Sequence, residues 1–329
     1  MRKLVILFVV SMLMALGLSG CQSQEQGGKS DLTKVTVVLD WVPNTNHTGL
    51  YVARDLGYYE QEGLAVEIIQ PSEGGASQLI AAGQGDFGIS YQEEVTIARS
   101  QDIPVVAIAA IIQHNTSGFA SPVSKNIKTP RDFEGKTYGG WGSPAEDAMI
   151  KAVMEQEGAD FSQVNILNIG SSDFFTSIEK DVDFTWIYWG WTGIEAQLRN
   201  VDLNFIKLQD KHPALDFYTP VIIASEDKIQ KNPQLIEKFM RATSHGYQYC
   251  MENPLEAADI LLKAVPELDR ELVTASQEYL AGEYQAEAPR WGEMKSSVWK
   301  AYADFMFANQ LIEKNINAEE AFTNQFLPE

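Results

Sequence analysis

From residue 33 to about residue 224, short runs of β-branched and apolar residues alternate with stretches in which apolar positions recur every three or four residues. That alternation predicts βα units. Strands are expected at 35–39, at 66–70 closed by Pro71, in a buried run ending at Ser90, at 105–112, 136–140, 164–168, 183–187 and 204–207. The chain is apolar and extended again over 218–224, and helices are expected after Leu50, after Gly75, over 144–156, near 174–180 and from Ile194. From Pro233 to Phe326 nearly everything reads as helix, with spacings such as Leu235, Phe239, Ala242 and Leu261, Val265. Two βα series separated by extended crossings predict an α/β protein of two lobes, the second inserted into the first. Lobe 1 is expected to comprise 33–115 and 218–329, lobe 2 to comprise 116–217, with a ligand cleft between them.

Polar and aromatic residues collect where the predicted strands end. Asp40, Trp41, Pro43, Asn44 and His47 lie between the first strand and its helix, Tyr91 and Glu94 follow another strand, and Trp141 and Gly142 a third. Tyr188, Trp189 and Trp191 follow a fourth, and Glu195 opens the next helix. In an open α/β sheet such places form the ligand crevice. Pro43 lacks a backbone donor and biases Val42 away from the helical region, which holds its loop open. The Gly74-Gly75 pair at a helix start offers free N–H groups to an anion, or is ordinary capping.

The first residues change the setting. Met1-Arg2-Lys3 is a positive start, 4–18 an apolar run, and Leu18-Ser19-Gly20-Cys21 a small-residue end. This resembles the bacterial lipobox, which implies a signal peptide over 1–20, lipidation of Cys21, and a polar tether over 21–32. Cys250 is then single and, within a helical run, is expected to be a small buried hydrophobe. The formal charge of −20 argues against nucleic acid as a partner. The four histidines show no metal-ligand spacing, and neither HExxH nor a nucleophile elbow occurs, so no metal, cofactor or hydrolytic catalysis is expected.

The lipobox, the Asp40-Trp41-x-Pro43-Asn44-x-x-His47-x-Gly49 motif, the segment from Gly74-Gly75 to Asp86-x-Gly88, and the Trp186 to Glu195 cluster together resemble the substrate-binding proteins of bacterial ABC importers. Within these the resemblance is to the branch that binds formylaminopyrimidine and is shared with the thiamine-pyrimidine synthases. It implies a type II periplasmic-binding fold, a monomer held on the extracytoplasmic membrane face by lipid alone, and delivery of a thiamine-derived pyrimidine to an ABC permease and its ATPase. A flat heteroaromatic ligand needs apolar faces and polar edges. Trp41, Trp141, Tyr188 and Trp189 are candidates for the faces, and Asp40, Glu94 and above all Glu195 for pairing with an amine edge. Asn44, Tyr91 and the loop around Gly142 are candidates for reading a formyl or amide group, and His47 for orienting its loop or touching the ligand. The synthase branch also carries a cysteine-rich motif, which has no counterpart between Cys21 and Cys250, so a binding protein is expected rather than an enzyme. Thiamine, hydroxymethylpyrimidine, riboflavin and a sulfonate remain alternative ligands of the same scaffold.

Overall fold

The computed structural model describes residues 32–70, 75–170 and 172–329, so Cys21, the leader and the tether lie outside the described residues. Ten strands form two five-stranded sheets. The first contains β1 (Thr33–Val38), β2 (Leu64–Ile69), β3 (Phe87–Ser90), β4 (Val105–Ala110) and β10 (Val221–Ser225) in the order β2-β1-β3-β10-β4. The second contains β5 (Ser117–Pro122), β6 (Thr137–Gly140), β7 (Asn165–Asn168), β8 (Phe184–Tyr188) and β9 (Leu203–Lys207) in the order β7-β6-β8-β5-β9. Both follow one plan. β1 lies parallel between β2 and β3, as β6 lies parallel between β7 and β8. In each sheet one antiparallel strand, β10 or β5, is inserted before the last.

Helices α1 (Thr48–Asp55), α2 (Ala76–Ala81) and α3 (Gln92–Ser100) connect the strands of the first sheet. Helices α4 (Pro144–Gln156), α5 (Phe174–Ile178) and α6 (Ile194–Leu198) connect those of the second. Four longer helices follow β10: α7 (Pro233–Glu252), α8 (Pro254–Ala264), α9 (Arg270–Glu283) and α10 (Ser296–Ala308). Cys250 is free and fully buried on α7. One core joins β1, β3 and β10 to α7, with Phe87 and Phe239 stacked at 3.8 Å. Another gathers Phe119, Tyr138, Phe184 and Trp186 on β5, β6 and β8 with Phe133 from the 3₁₀ turn Pro130–Phe133.

Two readings of the sequence need correction. Strand β5 lies where the sequence predicts no strand, since Ser117, Gly118, Ala120 and Ser121 have little strand propensity. Packing supplies what propensity lacks: a Cβ on Gly118 would sit 2.4 Å from the Ile206 carbonyl, so β9 can approach only a glycine there. The final segment is not helical to Phe326. After Ala308 the chain holds only a 3₁₀ turn over Ala318–Glu320 and returns to β4 through a parallel bridge between Phe322 and Ala107.

The two crossings are clamped together by His114. Its Nδ1 meets Asp216 at 2.7 Å and its Nε2 meets Glu287 at 2.8 Å, so both nitrogens act as donors and the ring is an imidazolium. The other Asp216 oxygen accepts the Asn115 N–H at 2.9 Å. Hydrogen bonding to Asp216 raises the His114 pKa from 6.5 to about 9, and His114 holds Glu287 down from 4.5 to about 2. The histidine therefore stabilises the fold fully below about 6.5 and loses that contribution as pH rises through about 9. Glu287 contributes fully above about 4.5 and loses its share as pH falls through about 2. The groups are partly exposed, so the total is about 1 kcal/mol. His114→Gln is expected to lower the melting temperature most between pH 4.5 and 6.5, and the two proteins should converge above pH 9. A constant difference across that range would contradict the assignment.

Candidate functional site

The two sheets present matching strand ends. The loops at the carboxyl ends of β1, β3, β6 and β8 are 39–47, 91–94, 141–143 and the π-helical turn Trp189–Gly193. These are the positions where α/β sheets bind ligands, here supplied by both sheets. Three large aromatic side chains stand open to solvent at these ends: Trp41 at 57%, Trp141 at 44% and Tyr188 at 37% exposure. Phe307 on the far helix α10 is equally exposed, so what marks these three is their shared place at the strand ends.

Behind the exposed ring faces lies a group of carboxyls and phenols, among them the inward-turned hydroxyl of Tyr188 itself. Burial raises the Tyr188 hydroxyl above the usual phenol range, with Glu93, Asp40 and Glu146 adding their negative fields. Burial does the same to Tyr91, followed by the fields of Glu94, Glu93, Tyr188 and Asp40. Asp40, Tyr91, Glu93 and Glu94 come from the first sheet's connections, and Tyr188 and Glu146 from the second's. The site is thus assembled from both.

His47 sits behind this wall, fully buried. Its Nδ1 accepts the Asn44 N–H at 3.2 Å, which leaves Nε2 as the protonated nitrogen donating to Asp40 at 2.8 Å. It orients Asp40 and has no face toward the cleft. Tyr247 donates to the Asn46 carbonyl at 2.7 Å and Tyr284 to the Thr45 carbonyl at 2.7 Å, fixing the same loop on α7 and α9. The Thr45 hydroxyl is 2.6 Å from the Ser276 hydroxyl, which donates to the Gly190 carbonyl, so α9 ties the Trp41 loop to the turn after Tyr188.

Four sequence candidates are engaged elsewhere. Glu195 pairs with Arg199 one turn along, and that guanidinium lies 4.2 Å over the Phe175 ring. The helix start that made Glu195 conspicuous also gave it an i,i+4 partner. The Trp189 ring lies 4.8 Å from Phe205 and closes against Gly193, where a Cβ would come within 2.5 Å. Asn44 caps its own loop, accepting from the Asn46 N–H at 2.9 Å and donating to the Val42 carbonyl at 3.1 Å. The Gly142 N–H donates to Glu146 at 2.8 Å and is not open to a ligand. The anion position at α2 is likewise filled: the Glu94 carboxylate lies against Gly75 and accepts from the Ser90 hydroxyl at 2.5 Å and from Ser77.

Two important carboxyls were missed. Glu146, 1% exposed, accepts from the Tyr138 hydroxyl at 2.6 Å and from the N–H groups of Trp141, Gly142 and Ser143 at 3.1, 2.8 and 2.8 Å. Its signal was present in Ser143-x-x-Glu146, a capping box at the start of α4. Glu93 had no such signal beside Glu94.

Known proteins resemble this chain along most of its length. The model of the family described as NMT1/THI5 like matches residues 44–257. The formylaminopyrimidine-binding protein of Halalkalibacterium halodurans is 28% identical over 325 residues, covering 96% of this chain and 98% of that one. The riboflavin-binding protein RibY of Chloroflexus aurantiacus is 26% identical over 90% of this chain and 87% of its own. The 4-amino-5-hydroxymethyl-2-methylpyrimidine phosphate synthase of Legionella pneumophila is 25% identical over 90% and 93%. Among solved structures, the periplasmic aliphatic sulphonate binding protein SsuA of Escherichia coli superimposes with a TM-score of 0.69 at 14% identity, over 90% of this chain and 94% of that one. The architecture is the two-lobed periplasmic-binding-protein type II fold expected from the sequence.

Proposed function

The chain belongs to the NMT1/THI5-like family, and from that premise we propose that it is a solute-binding lipoprotein that captures a formylaminopyrimidine and delivers it to an ABC permease. In this reading Cys21 carries the lipid anchor on the extracytoplasmic face, 33–115 with 218–329 form one lobe, and 116–217 form the other. Trp41, Trp141 and Tyr188 offer faces to the ring, while Asp40, Tyr91 and Glu94 line its edge. Binding selects a closed arrangement of the lobes, which the permease recognises.

The observation that carries the reading is three exposed aromatics at matched strand ends around buried carboxyls. The similarity to a formylaminopyrimidine-binding protein along nearly the whole chain supports the ligand. Glu94 at the α2 terminus speaks against a sulfonate, since a second anion there meets a carboxylate. His47, held between Asn44 and Asp40, speaks against a catalytic histidine and so against a synthase.

Thermal-shift titration tests it. At a hundredfold excess over Kd, formylaminopyrimidine should stabilise the protein by about 2.7 kcal/mol, a clear rise in melting temperature. Tyr188→Ala should weaken binding by about 1–3 kcal/mol, the worth of one stacked base. A shift with riboflavin and none with any pyrimidine would overturn the assigned ligand.

A further inference from the structure

Four carboxyls meet at the cleft, and three have hydrogen-bond donors. Asp40 has His47, Glu94 has Ser90 and Ser77, and Glu146 has Tyr138 and three backbone N–H groups. Among the described residues no donor reaches the Glu93 carboxyl, although the residue is only 8% exposed. It opens α3 directly after Gln92, whose side chain accepts the Tyr218 N–H at 2.9 Å, so the crossing chain seals one side. Glu146 and Glu94 face it with like charge, and the phenols of Tyr91, Tyr188 and Tyr302 share its surroundings. Among the described residues the Tyr302 hydroxyl is likewise buried without a partner. A mostly buried carboxyl with two carboxylate neighbours and no donor among the described residues is unfavourable as an ion unless something brings it a proton.

We propose that Glu93, rather than Glu195, receives the amine edge of the ligand, and that it selects weakly basic aza-aromatics by sharing one proton with the ring nitrogen. The inference rests on the pyrimidine reading above and names the group that enforces it. In the complex, the carboxylic acid O–H of Glu93 gives its proton to the ring nitrogen, whose lone pair forms the new N–H bond. The resulting carboxylate accepts that N–H and the neighbouring amino N–H, a two-point charge-assisted contact. No other reactant is needed. Burial first, then Glu146 and Glu94, raise the Glu93 pKa from 4.5 to about 7, so the acid form is present near neutrality.

A pH signature follows. Above about pH 7 the free protein has lost this proton and the complex must take it back from solvent. Affinity should then fall by up to tenfold per pH unit, with calorimetry in two buffers of different ionisation enthalpy showing uptake approaching one proton. Isothermal titration of the wild-type protein, Glu93→Gln, Glu195→Gln and Tyr302→Phe with formylaminopyrimidine, and with its isostere in which both ring nitrogens are CH, decides the matter. Glu93→Gln should bind the pyrimidine about 10- to 100-fold more weakly and lose the pH slope. Its melting temperature should be unchanged or higher, because one of several like charges is gone. Glu195→Gln and Tyr302→Phe should keep the slope, and the isostere should bind both wild type and Glu93→Gln weakly and without proton uptake. Pyrimidine binding by Glu93→Gln with wild-type affinity and slope overturns the role of Glu93 and leaves the importer reading standing. If wild type binds no pyrimidine at any pH, both fall together.

Discussion

Glu146→Ala is expected to lower the stability of the protein by about 3–4 kcal/mol and to abolish tight binding of any flat ligand. The loss comes from the donors, more than from the carboxylate itself. The buried Tyr138 hydroxyl would be left unpaired, at a cost of about 1–3 kcal/mol, and the hydrogen bonds to the charged acceptor from Trp141, Gly142 and Ser143 vanish with it. A Cβ on Gly140 would already lie 2.4 Å from a Glu146 oxygen, so the carboxylate fills its niche completely and its removal leaves a void. Trp141, resting 5.5 Å from Trp186 at the rim, depends on this loop for its position. Denaturant unfolding measures the first effect and ligand titration the second. Glu146→Gln provides the contrast: it keeps one acceptor oxygen and the volume, so it should recover part of the stability. An alanine variant within about 1 kcal/mol of wild type would show that water replaces the carboxylate and that the loop does not need it.

The strand ends could be read from the sequence because strand propensity and loop chemistry agree there. Val35 to Val38 alternate with nothing polar enough to interrupt them, and Asp40 and Trp41 follow at once, so both the strand and its functional end are visible. Where the two kinds of signal disagree, the sequence misleads. Gly118 looks like a breaker and is a central strand residue, because the close approach of β9 is a fact of tertiary packing. The carboxyls divide along the same line. Glu195 has a helix start and an aromatic neighbour, yet its nearest cation is four residues away on its own helix. Glu93 has no local mark at all. Its character comes first from burial beside a crossing that closes only in the folded chain, and then from Glu146, which is distant in sequence and belongs to the other sheet's connections. A pattern of spacing records which residues share an element; it does not record which carboxyl is left without a donor.

The largest single-residue effect is expected away from the cleft, where two helices cross. Helices α1 and α7 cross at Gly49 and Gly246, where a Cβ on Gly246 would lie 2.1 Å from the Gly49 carbonyl oxygen and 3.0 Å from Ala53. On the reverse side, a Cβ on Gly49 would fall 2.4 Å from the Tyr247 ring, which is stacked on Trp291 at 4.3 Å and donates to Asn46. Backbone oxygen cannot rotate away as a side chain can, so Gly246→Ala must separate the helices and move the loop that carries Asp40 and Trp41. The expected loss exceeds the ~1–3 kcal/mol usual for overpacking a core. Gly282 on α9 supplies the control, being helical and exposed with nothing within 4 Å of an added Cβ. Gly282→Ala should instead stabilise the protein by about 0.4–1 kcal/mol, through helix propensity and a less flexible unfolded chain. Opposite signs for the same chemical change, read by denaturant melts side by side, would show that the α1–α7 crossing sets the position of the loop. Equal and small effects would mean that the crossing has slack, and that the Trp41 wall is held by Tyr247, Tyr284 and Ser276 alone.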